Sequence, residues 1–298
     1  VDIYDVGRDM WPWGIPAPVG RSSHSGSVVG NDLYFFGGTD GIQTQNTLEI
    51  FHTFPTQADT VYRVEHTYEI LPHEVTYSAR VGMELTQGPD RAQHGSVVYN
   101  NRLFILGGEN ASGLTNSVLV YDLSTRGVTP STYTFPALIT PRKGHSATLF
   151  GNKLILLGGL DSNGVSDLVE VYDLFGNHAL LDTQYSFPDI DAIAYHQAMA
   201  RDNLLIVVGG MDWTGASSDE IHVFEFGATE AIDLGDGDFD PLSEARQQHN
   251  ATIRNSMLFV LGGRNNFGEL TNIEAYDLSE AIPSKILPSE LPDLELAL

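Results

Sequence analysis

The sequence predicts an all-β fold built from five repeats of four short strands, and three observations lead to this prediction. First, a run of apolar residues ending in Gly-Gly occurs five times, at intervals of about 50 residues after a longer first interval. Second, each run is followed by an alternating polar and apolar segment, which is typical of a strand. Third, no segment combines the periodicity of a helix with capping residues. The second glycines of the five pairs are Gly38, Gly108, Gly159, Gly210 and Gly263.

The order of segments within a repeat predicts the four strands. A first strand rich in small residues follows a histidine that lies about 14 residues before each Gly-Gly pair. The second strand is the apolar run, which we expect to be buried on both faces, and Gly-Gly fits a close backbone approach or a positive φ. The third strand ends in Tyr-Asp or an equivalent, and the fourth is predicted at TYTF, QYSF and KIL. The histidines are His24, His94, His145, His196 and His249. Such four-stranded units are typical of β-propeller blades.

Four of the five histidines belong to an R-x-x-H unit, with Arg21, Arg91, Arg142 and Arg246. Together with Gly-Gly and the Tyr-Asp about 13 residues later, this unit resembles the kelch repeat family. The resemblance covers roughly residues 21–298 and implies a kelch-type β-propeller of the galactose oxidase central domain-like superfamily. The sequence departs from the family in two places. Ile193 replaces the fourth arginine, and only Trp11 stands near the position where kelch repeats usually carry a tryptophan after the tyrosine.

We predict one domain over residues 1–298, with closing strands in 1–20 and repeats at 21–90, 91–141, 142–192, 193–245 and 246–298. VDIYDV at the N-terminus matches the third-strand segment IEAYDL of the last repeat, so the N-terminal strands could complete the fifth blade. They could instead join the C-terminal tail in a thin sixth blade, and five and six blades both stay open. The first repeat has about 19 extra residues, which predict a projecting hairpin near residues 60–85.

The composition excludes several classes of function. The chain carries 15 Lys and Arg against 39 Asp and Glu, a formal net charge of −24, which argues against nucleic acid and anionic membranes as partners. The absence of cysteine excludes disulfides, cysteine-ligated zinc and cysteine nucleophiles. No apolar run approaches the roughly 18 residues of a membrane span. The acidic, lysine-poor composition favours an extracellular or periplasmic location, with the cytoplasm as the alternative.

The predicted binding face is the end of each blade where two loops meet. In an antiparallel blade, the loop entering strand one and the loop between strands two and three share an end, which places the arginines beside an Asp or Asn. The alternative is a structural role, because recurring residues are expected to make the same hydrogen bonds in every blade. Trp213 stands in an otherwise polar loop and is predicted to contact a ligand. The predicted binding residues are Arg21, Arg91, Arg142, Arg246, Asp40, Asn110, Asp161, Asp212, Trp213 and Asn265.

Two further kinds of site follow from short patterns, and no cofactor is predicted. Asp236, Asp238 and Asp240 alternate as in a calcium loop but lack the glycine and glutamate of an EF-hand, so a solvated acidic loop is the alternative. Two N-x-S/T sequons occur. Asn110 lies in a loop and is the predicted glycosylation site of a secreted protein, whereas Asn250 enters a first strand, where crowding is expected.

Together these observations predict a non-enzymatic binding or structural scaffold that uses its loop faces to contact a protein or a glycan. The alternative is a carbohydrate-active isomerase resembling sialic acid mutarotase, a kelch propeller that would need carboxylates and arginines around a closed pocket. The copper chemistry of galactose oxidase is excluded, since its cofactor needs a cysteine joined to a tyrosine. The sequence contains no nucleophile elbow, P-loop or dinucleotide fingerprint.

Overall fold

The computed structural model describes residues 2–5, 10–14, 21–30, 32–52, 78–84, 89–124, 129–235, 240–254, 256–279 and 284–286. These residues form strands and connecting loops, and no helix occurs among them. They divide into two compact units, one of residues 1–15 with 144–298 and one of residues 16–143. The all-β prediction is confirmed, whereas a single domain over residues 1–298 stays a prediction.

Two strands precede the repeats and form a sheet of their own. They are β1 (Asp2–Asp5) and β2 (Met10–Gly14), which pair antiparallel.

The unit of residues 16–143 contains two four-stranded antiparallel sheets, each with its strands in chain order. The first sheet consists of β3 (Ser25–Val29), β4 (Asp32–Phe36), β5 (Thr47–His52) and β6 (Ser78–Glu84). The second consists of β7 (Gly95–Tyr99), β8 (Arg102–Leu106), β11 (Val118–Asp122) and β12 (Thr129–Pro130). A short ribbon connects β8 to β11 and is formed by β9 (Glu109–Asn110) and β10 (Gly113–Leu114).

The other unit contains three sheets of the same kind. The third sheet consists of β13 (Ser146–Phe150), β14 (Lys153–Leu157), β17 (Val169–Leu174) and β18 (Ala179–Leu181), with the ribbon β15 (Leu160–Asp161) and β16 (Gly164–Val165). The fourth consists of β19 (Gln197–Arg201), β20 (Leu204–Met211), β21 (Ser217–Phe226) and β22 (Ala231–Asp233). The fifth consists of β23 (Asn250–Arg254), β24 (Met257–Leu261), β27 (Ile273–Asp277) and β28 (Ser284–Ile286), with the ribbon β25 (Arg264–Asn265) and β26 (Gly268–Glu269).

The second strand is buried on both faces in the second to fifth repeats, as its apolar run predicts, whereas in β4 of the first repeat only Tyr34 and Phe36 are buried. Four consecutive residues are buried in β8 (103–106), in β14 (154–157) and in β24 (257–260). Apolar side chains of these strands pack between neighbouring sheets, as in the cluster of Ile206, Val208, Leu258 and Val260. The sheets are therefore held together by burial of apolar surface on both faces of their inner strands.

The fourth strands differ from their predicted positions. In the third sheet this strand is β18, and QYSF at residues 184–187 lies in the loop after it. Asp182 Oδ1 accepts hydrogen bonds from the N–H groups of Gln184 and Tyr185 and turns the chain out of the strand. The aromatic rings of Tyr185 and Phe187 then pack on Phe226 of the fourth sheet. Ser186 between them forms a single parallel bridge with Glu230, so this segment contacts the neighbouring sheet and is not the fourth strand of its own. In the second sheet, β12 similarly precedes TYTF, whereas KIL overlaps β28 as predicted.

Two predictions about unusual segments are corrected. The end of the predicted projecting hairpin is β6, the fourth strand of the first sheet, and residues 53–77 lie outside the described residues. The fifth sheet takes its fourth strand from β28, so β1 and β2 do not complete it. A sixth blade involving the C-terminal tail stays a prediction, because residues 287–298 also lie outside the described residues.

In the first, third and fourth repeats, a hydrogen bond from the second glycine of the Gly-Gly pair joins the repeat to the next one. Its N–H donates to the carbonyl oxygen of the residue at the arginine position of the next repeat. The N···O distances are 3.0 Å from Gly38 to Arg91, 2.8 Å from Gly159 to Ile193 and 2.8 Å from Gly210 to Arg246. We call this contact the inter-repeat hydrogen bond. It requires the two backbones to approach closely, and the first glycine of the pair permits that approach, because a Cβ atom at Gly37 or Gly158 would lie less than 3.0 Å from the same carbonyl oxygen.

The effect of a side chain at the second glycine of the pair is testable at Gly108. A Cβ atom there would lie 2.7 Å from the carbonyl oxygen of Ala92 and 2.9 Å from Cβ of His94, at a φ of +94°. Gly113 has a similar φ of +107°, but a Cβ there would meet nothing within 4 Å. Gly108→Ala should therefore lower the free energy of unfolding by about 3 kcal/mol, from backbone strain plus overpacking, and Gly113→Ala by about 1 kcal/mol, from strain alone. Urea unfolding measures both, and equal losses would contradict the steric explanation.

Candidate functional site

The predicted binding arginines lie inside the protein. Arg91, Arg142 and Arg246 are fully buried, and Arg21 is half-buried. Arg91 Nη1 donates to the carbonyl oxygens of Gly107 (3.0 Å) and Ser117 (3.1 Å). Burial lowers the pKa of Arg91 to about 10, so it stays charged at neutral pH. A buried guanidinium needs internal acceptors, and the three fully buried arginines are therefore not surface contacts. For these three the binding prediction is replaced by the structural alternative.

In the fifth repeat the buried arginine belongs to a network with a glutamate and a tyrosine. Arg246 forms an ion pair with Glu274 and donates to the carbonyl oxygen of Gly262 at 2.8 Å. Glu274 Oε2 also accepts hydrogen bonds from the hydroxyl of Tyr276 (3.0 Å) and the N–H of Ser243 (2.8 Å). Burial, followed by the charge of Glu274, raises the pKa of Tyr276. In the third repeat, the hydroxyl of Tyr172 likewise donates to the buried Glu170. We call this arrangement the arginine network.

The repeat histidines are buried, except His24, which is exposed. His196 Nε2 lies 2.8 Å from Oγ of Ser146 in the preceding repeat, and His94 Nε2 lies 2.8 Å from Oγ of Ser25. Burial lowers the pKa of His196 to about 3. His196 is therefore a neutral link between the first strands of adjacent repeats, and the matching contact of His94 gives it the same structural position.

The predicted Asp and Asn residues stabilise the loops that carry them. Each accepts backbone hydrogen bonds from residues two to four positions later, which closes a turn. Asp212 Oδ1 accepts from the N–H groups of Thr214 (2.8 Å) and Ala216 (3.0 Å), and the hydrogen bond from the Thr214 hydroxyl is the main cause of the lowered pKa of Asp212. The other members are Asp40, Asn110, Asp161 and Asn265. One oxygen of each side chain is thus committed to its own loop.

The two sequons differ from their predicted exposure. Asn110 lies in the ribbon of β9 and β10 as expected but is half-buried. Asn250 is exposed at the start of β23, so the expected crowding at this sequon is wrong. The reason is the alternation of the strand, which directs Asn250 to solvent and Ala251 to the core. Glycosylation of Asn110 stays a prediction.

The calcium candidate falls mostly outside the described residues. Asp236 and Asp238 are not among them, and Asp240 is exposed. Among the residues that the structure describes, no group of three or more His, Asp or Glu side chains is placed to hold a metal ion.

The fourth repeat lacks the arginine network. Phe224, which pairs with Leu205 in the fourth sheet, occupies the position that Tyr276, which pairs with Leu258, has in the fifth sheet. His222, which pairs with Val207, likewise occupies the position of Glu274, which pairs with Val260 in the fifth sheet. The three members of the network are therefore replaced by Ile193, His222 and Phe224. The fourth repeat also has one more residue between Gly-Gly and this aromatic than the fifth, and β20 and β21 shift register between Val208 and Gly210 to accommodate it.

A cavity of about 540 Å³ lies where the network is replaced. Ile193, His222 and Phe224 all line it, and Val207 and Leu157 extend its apolar floor. Among the described residues that line it, six are carboxylates and none is lysine or arginine, and we call it the acidic pocket. The carboxylates are Asp189, Asp191, Asp212, Asp219, Glu220 and Asp233. His222 Nε2 lies 3.3 Å from Glu220 Oε2. Negative charges grouped above an apolar surface concentrate a negative electrostatic potential in the pocket, and this potential favours a cation there.

Two exposed aromatic side chains stand on the loops beside this pocket. Trp213 lines the pocket and is 76% exposed, and Phe267, at the tip of the corresponding loop of the fifth repeat, is 99% exposed. The two loops are joined by Asn266, whose Oδ1 accepts hydrogen bonds from the N–H (3.1 Å) and hydroxyl (3.2 Å) of Ser217. Large aromatic groups in this position are exposed without internal packing, which is typical of a contact surface.

The sequence identified part of this site. Trp213 and the missing arginine at Ile193 stand out as departures from the repeat, and both line the pocket. Asp212 is also a predicted binding residue that lines the pocket, whereas the other five carboxylates and Phe267 are not predicted, because no recurring motif marks them. The extra residue in the fourth repeat is the signal that could have drawn attention to β21.

Comparison with known proteins identifies one family. A profile described as the KLHDC2/KLHL20/DRC7 Kelch-repeats domain matches residues 77–263, and the Kelch motif matches residues 20–53. Mouse Kelch-like protein 15 is 25% identical over 174 residues, which cover 57% of this chain and 28% of that protein. Human Host cell factor 1 is 29% identical over 186 residues, which cover 53% of this chain and 8% of that protein. Spermatocyte protein spe-26 of Caenorhabditis elegans is 24% identical over 201 residues, which cover 65% of this chain and 30% of that protein.

The chain therefore spans less than a third of the length of each of these relatives. Within the described residues, none belongs to a helix with the length and hydropathy needed to cross a membrane.

The energetic role of the arginine network is testable at Arg246. Arg246→Ile leaves Glu274 buried without its cation and should lower the free energy of unfolding by about 3–5 kcal/mol. Adding Glu274→Gln removes the uncompensated charge while keeping an acceptor for Ser243, and should restore about 1 kcal/mol or more. Equal stability of the single and double variants in urea unfolding would show that the ion pair is not the source of the network's contribution to the free energy of unfolding.

Burial of His196 predicts a pH dependence of stability. Its pKa falls from 6.5 to about 3 on folding, so the unfolded chain binds more protons between these values. The contribution of the neutral, buried His196 to the free energy of unfolding is complete above pH 6.5 and is lost as the pH falls below that value. Between pH 7 and 5.5, wild type should therefore lose about 1 kcal/mol more than His196→Gln. His178→Gln, at an exposed histidine, is the control and should follow wild type. The same loss in all three proteins would exclude His196 as a source.

Proposed function

The chain belongs to the kelch-repeat family, and from this premise we propose that it is a non-enzymatic scaffold that binds a protein partner through the loops beside the acidic pocket. The observation that carries the proposal is the pair of exposed aromatic residues, Trp213 and Phe267, on two loops that are hydrogen-bonded to each other. Tryptophan and other aromatic residues dominate the binding energy of protein interfaces, particularly when their surroundings are rigid.

The chemistry of the pocket supports binding over isomerisation. The isomerase alternative calls for carboxylates and arginines around one closed pocket, but the acidic pocket contains carboxylates with no arginine. The fully buried arginines instead hold internal groups, such as the carbonyl oxygens of Gly107 and Gly262. A hydrophobic floor, a charged rim and an exposed tryptophan together match the anatomy of a binding surface.

A protein partner fits this surface better than a glycan. A neutral glycan can donate hydroxyl hydrogen bonds to the carboxylates that line the pocket but carries no charge to offset them, whereas a protein can supply positive charge. An extracellular or periplasmic location remains part of the proposal and is supported by the acidic composition alone.

The proposal predicts that the exposed aromatics are needed for partner capture. Tagged Trp213→Ser/Phe267→Ser protein should lose partners that wild type captures from an extract of the source organism, because the central aromatic contacts are removed. Phe175→Ser is the matched control, since Phe175 is also an exposed phenylalanine of the same unit but lies between the third and fourth strands. Quantitative mass spectrometry of the captured proteins measures the difference.

Equal capture by the aromatic variant and wild type would exclude these loops as the contact surface. Binding of wild type to an immobilised glycan, with no protein captured above the level of a tag-only control, would contradict a protein partner.

A further inference from the structure

We propose that the acidic pocket accepts an arginine side chain from a basic segment of the protein partner. This inference rests on the proposed function and specifies the chemistry of its partner. It is argued from the cavity left in the fourth repeat, from the groups that line that cavity and from the exposed tryptophan at its edge.

The internal repeat shows where a guanidinium group fits. In the fifth repeat, Arg246 Nη2 donates to Oδ1 of Asn272 at 3.2 Å and forms the ion pair with Glu274. In the sheet register, Glu220 corresponds to Asn272, because Glu220 immediately precedes Ile221, which pairs with Val208, and Asn272 immediately precedes Ile273, which pairs with Leu261 at the equivalent position. The fourth repeat therefore places a carboxylate where the fifth repeat has an amide that contacts arginine. Ile193, however, supplies no cation to meet it.

The cavity suits the two chemical parts of an arginine side chain. Its aliphatic stem can pack on the apolar floor formed by Ile193, Val207 and Leu157. Its guanidinium can then reach the carboxylates of Asp219 and Glu220 on the rim, since guanidinium and carboxylate groups form paired, charge-assisted hydrogen bonds.

The tryptophan at the edge adds a second preference for arginine. Trp213 lines the pocket and presents most of its surface to solvent. An indole face attracts a guanidinium both electrostatically and by stacking. An acidic partner would meet six carboxylates and no cation in the pocket lining, so charge complementarity selects a basic segment.

A peptide titration tests the inference. The probe is a short fluorescein-labelled, C-terminally amidated peptide in which arginines alternate with glycine and serine. The comparison peptide replaces each arginine with citrulline, which keeps the shape and removes the charge. At about 0.15 M salt, fluorescence anisotropy should show binding of the arginine peptide and at least about tenfold weaker binding of the citrulline peptide.

Matched variants separate the pocket from the overall charge of the protein. Asp219→Asn/Glu220→Gln should weaken binding of the arginine peptide about tenfold, whereas Asp202→Asn/Glu230→Gln makes the same charge change at exposed residues outside the pocket and should change it less than about twofold. Trp213→Ala, which leaves the charge unchanged, should weaken binding about threefold or more. Equal weakening by the two charge variants would overturn the proposal, because attraction to a net charge of −24 would then explain the binding. Equal binding of the arginine and citrulline peptides would overturn it as well.

Refilling the pocket gives an independent result. Ile193→Arg restores the side chain that the other repeats carry and should abolish peptide binding by occupying the site. A folded Ile193→Arg protein that binds the peptide like wild type would contradict the assignment.

The experiment also distinguishes this inference from the proposed function. If the arginine peptide does not bind wild type, yet Trp213→Ser/Phe267→Ser loses its captured partners, the scaffold function stands and the arginine site falls. If the peptide binds in the pocket but partner capture is unaffected by the aromatic substitutions, the arginine site stands and the aromatic contact surface falls.

Discussion

The inter-repeat hydrogen bond is the constraint on which the rest of the structure depends. It joins the second glycine of one repeat to a carbonyl oxygen of the next, and the space around that glycine leaves no room for a side chain. The acceptor is a backbone atom, so the bond places no demand on the side chain of the accepting residue. Gly159 donates to Ile193 at 2.8 Å, the same distance at which Gly210 donates to Arg246. The fourth repeat can therefore lose its arginine and open a pocket while the joint between repeats is kept.

The parts of the fold that follow from local sequence were predicted well. The apolar runs and Gly-Gly pairs locate the inner strands, because a strand buried on both faces must be apolar throughout. The fourth strands were placed less well, since β12 and β18 contain only two and three residues. QYSF has the pattern of a strand, but its aromatic residues serve the packing against Phe226. Such a role depends on a neighbouring sheet and therefore cannot be predicted from the sequence of a single repeat.

The candidate site was predicted only where it departs from the repeat. The recurring arginines and Asp or Asn residues resemble a binding face in the sequence, yet Arg91 and Asp212 show that polar residues at recurring positions stabilise their own repeat. Ile193 and Trp213 were informative because they break the pattern. The carboxylates of Asp189 and Asp233 could not be assigned to the pocket, since they are brought together by separate loops and strands of the fourth repeat and the segment before it.

The hydrogen bonds of Asn266 to Ser217 have a consequence for how a partner is selected. They connect the loop that carries Trp213 to the loop that carries Phe267 and thereby favour one separation between the two aromatic side chains. A partner must present its complementary groups at that one spacing to engage both Trp213 and Phe267, because neither loop can shift to accommodate a different one without breaking these bonds. The protein then selects a partner by the spacing of its groups as well as by its charge. Because the loops are already connected, they lose little conformational entropy when the partner binds.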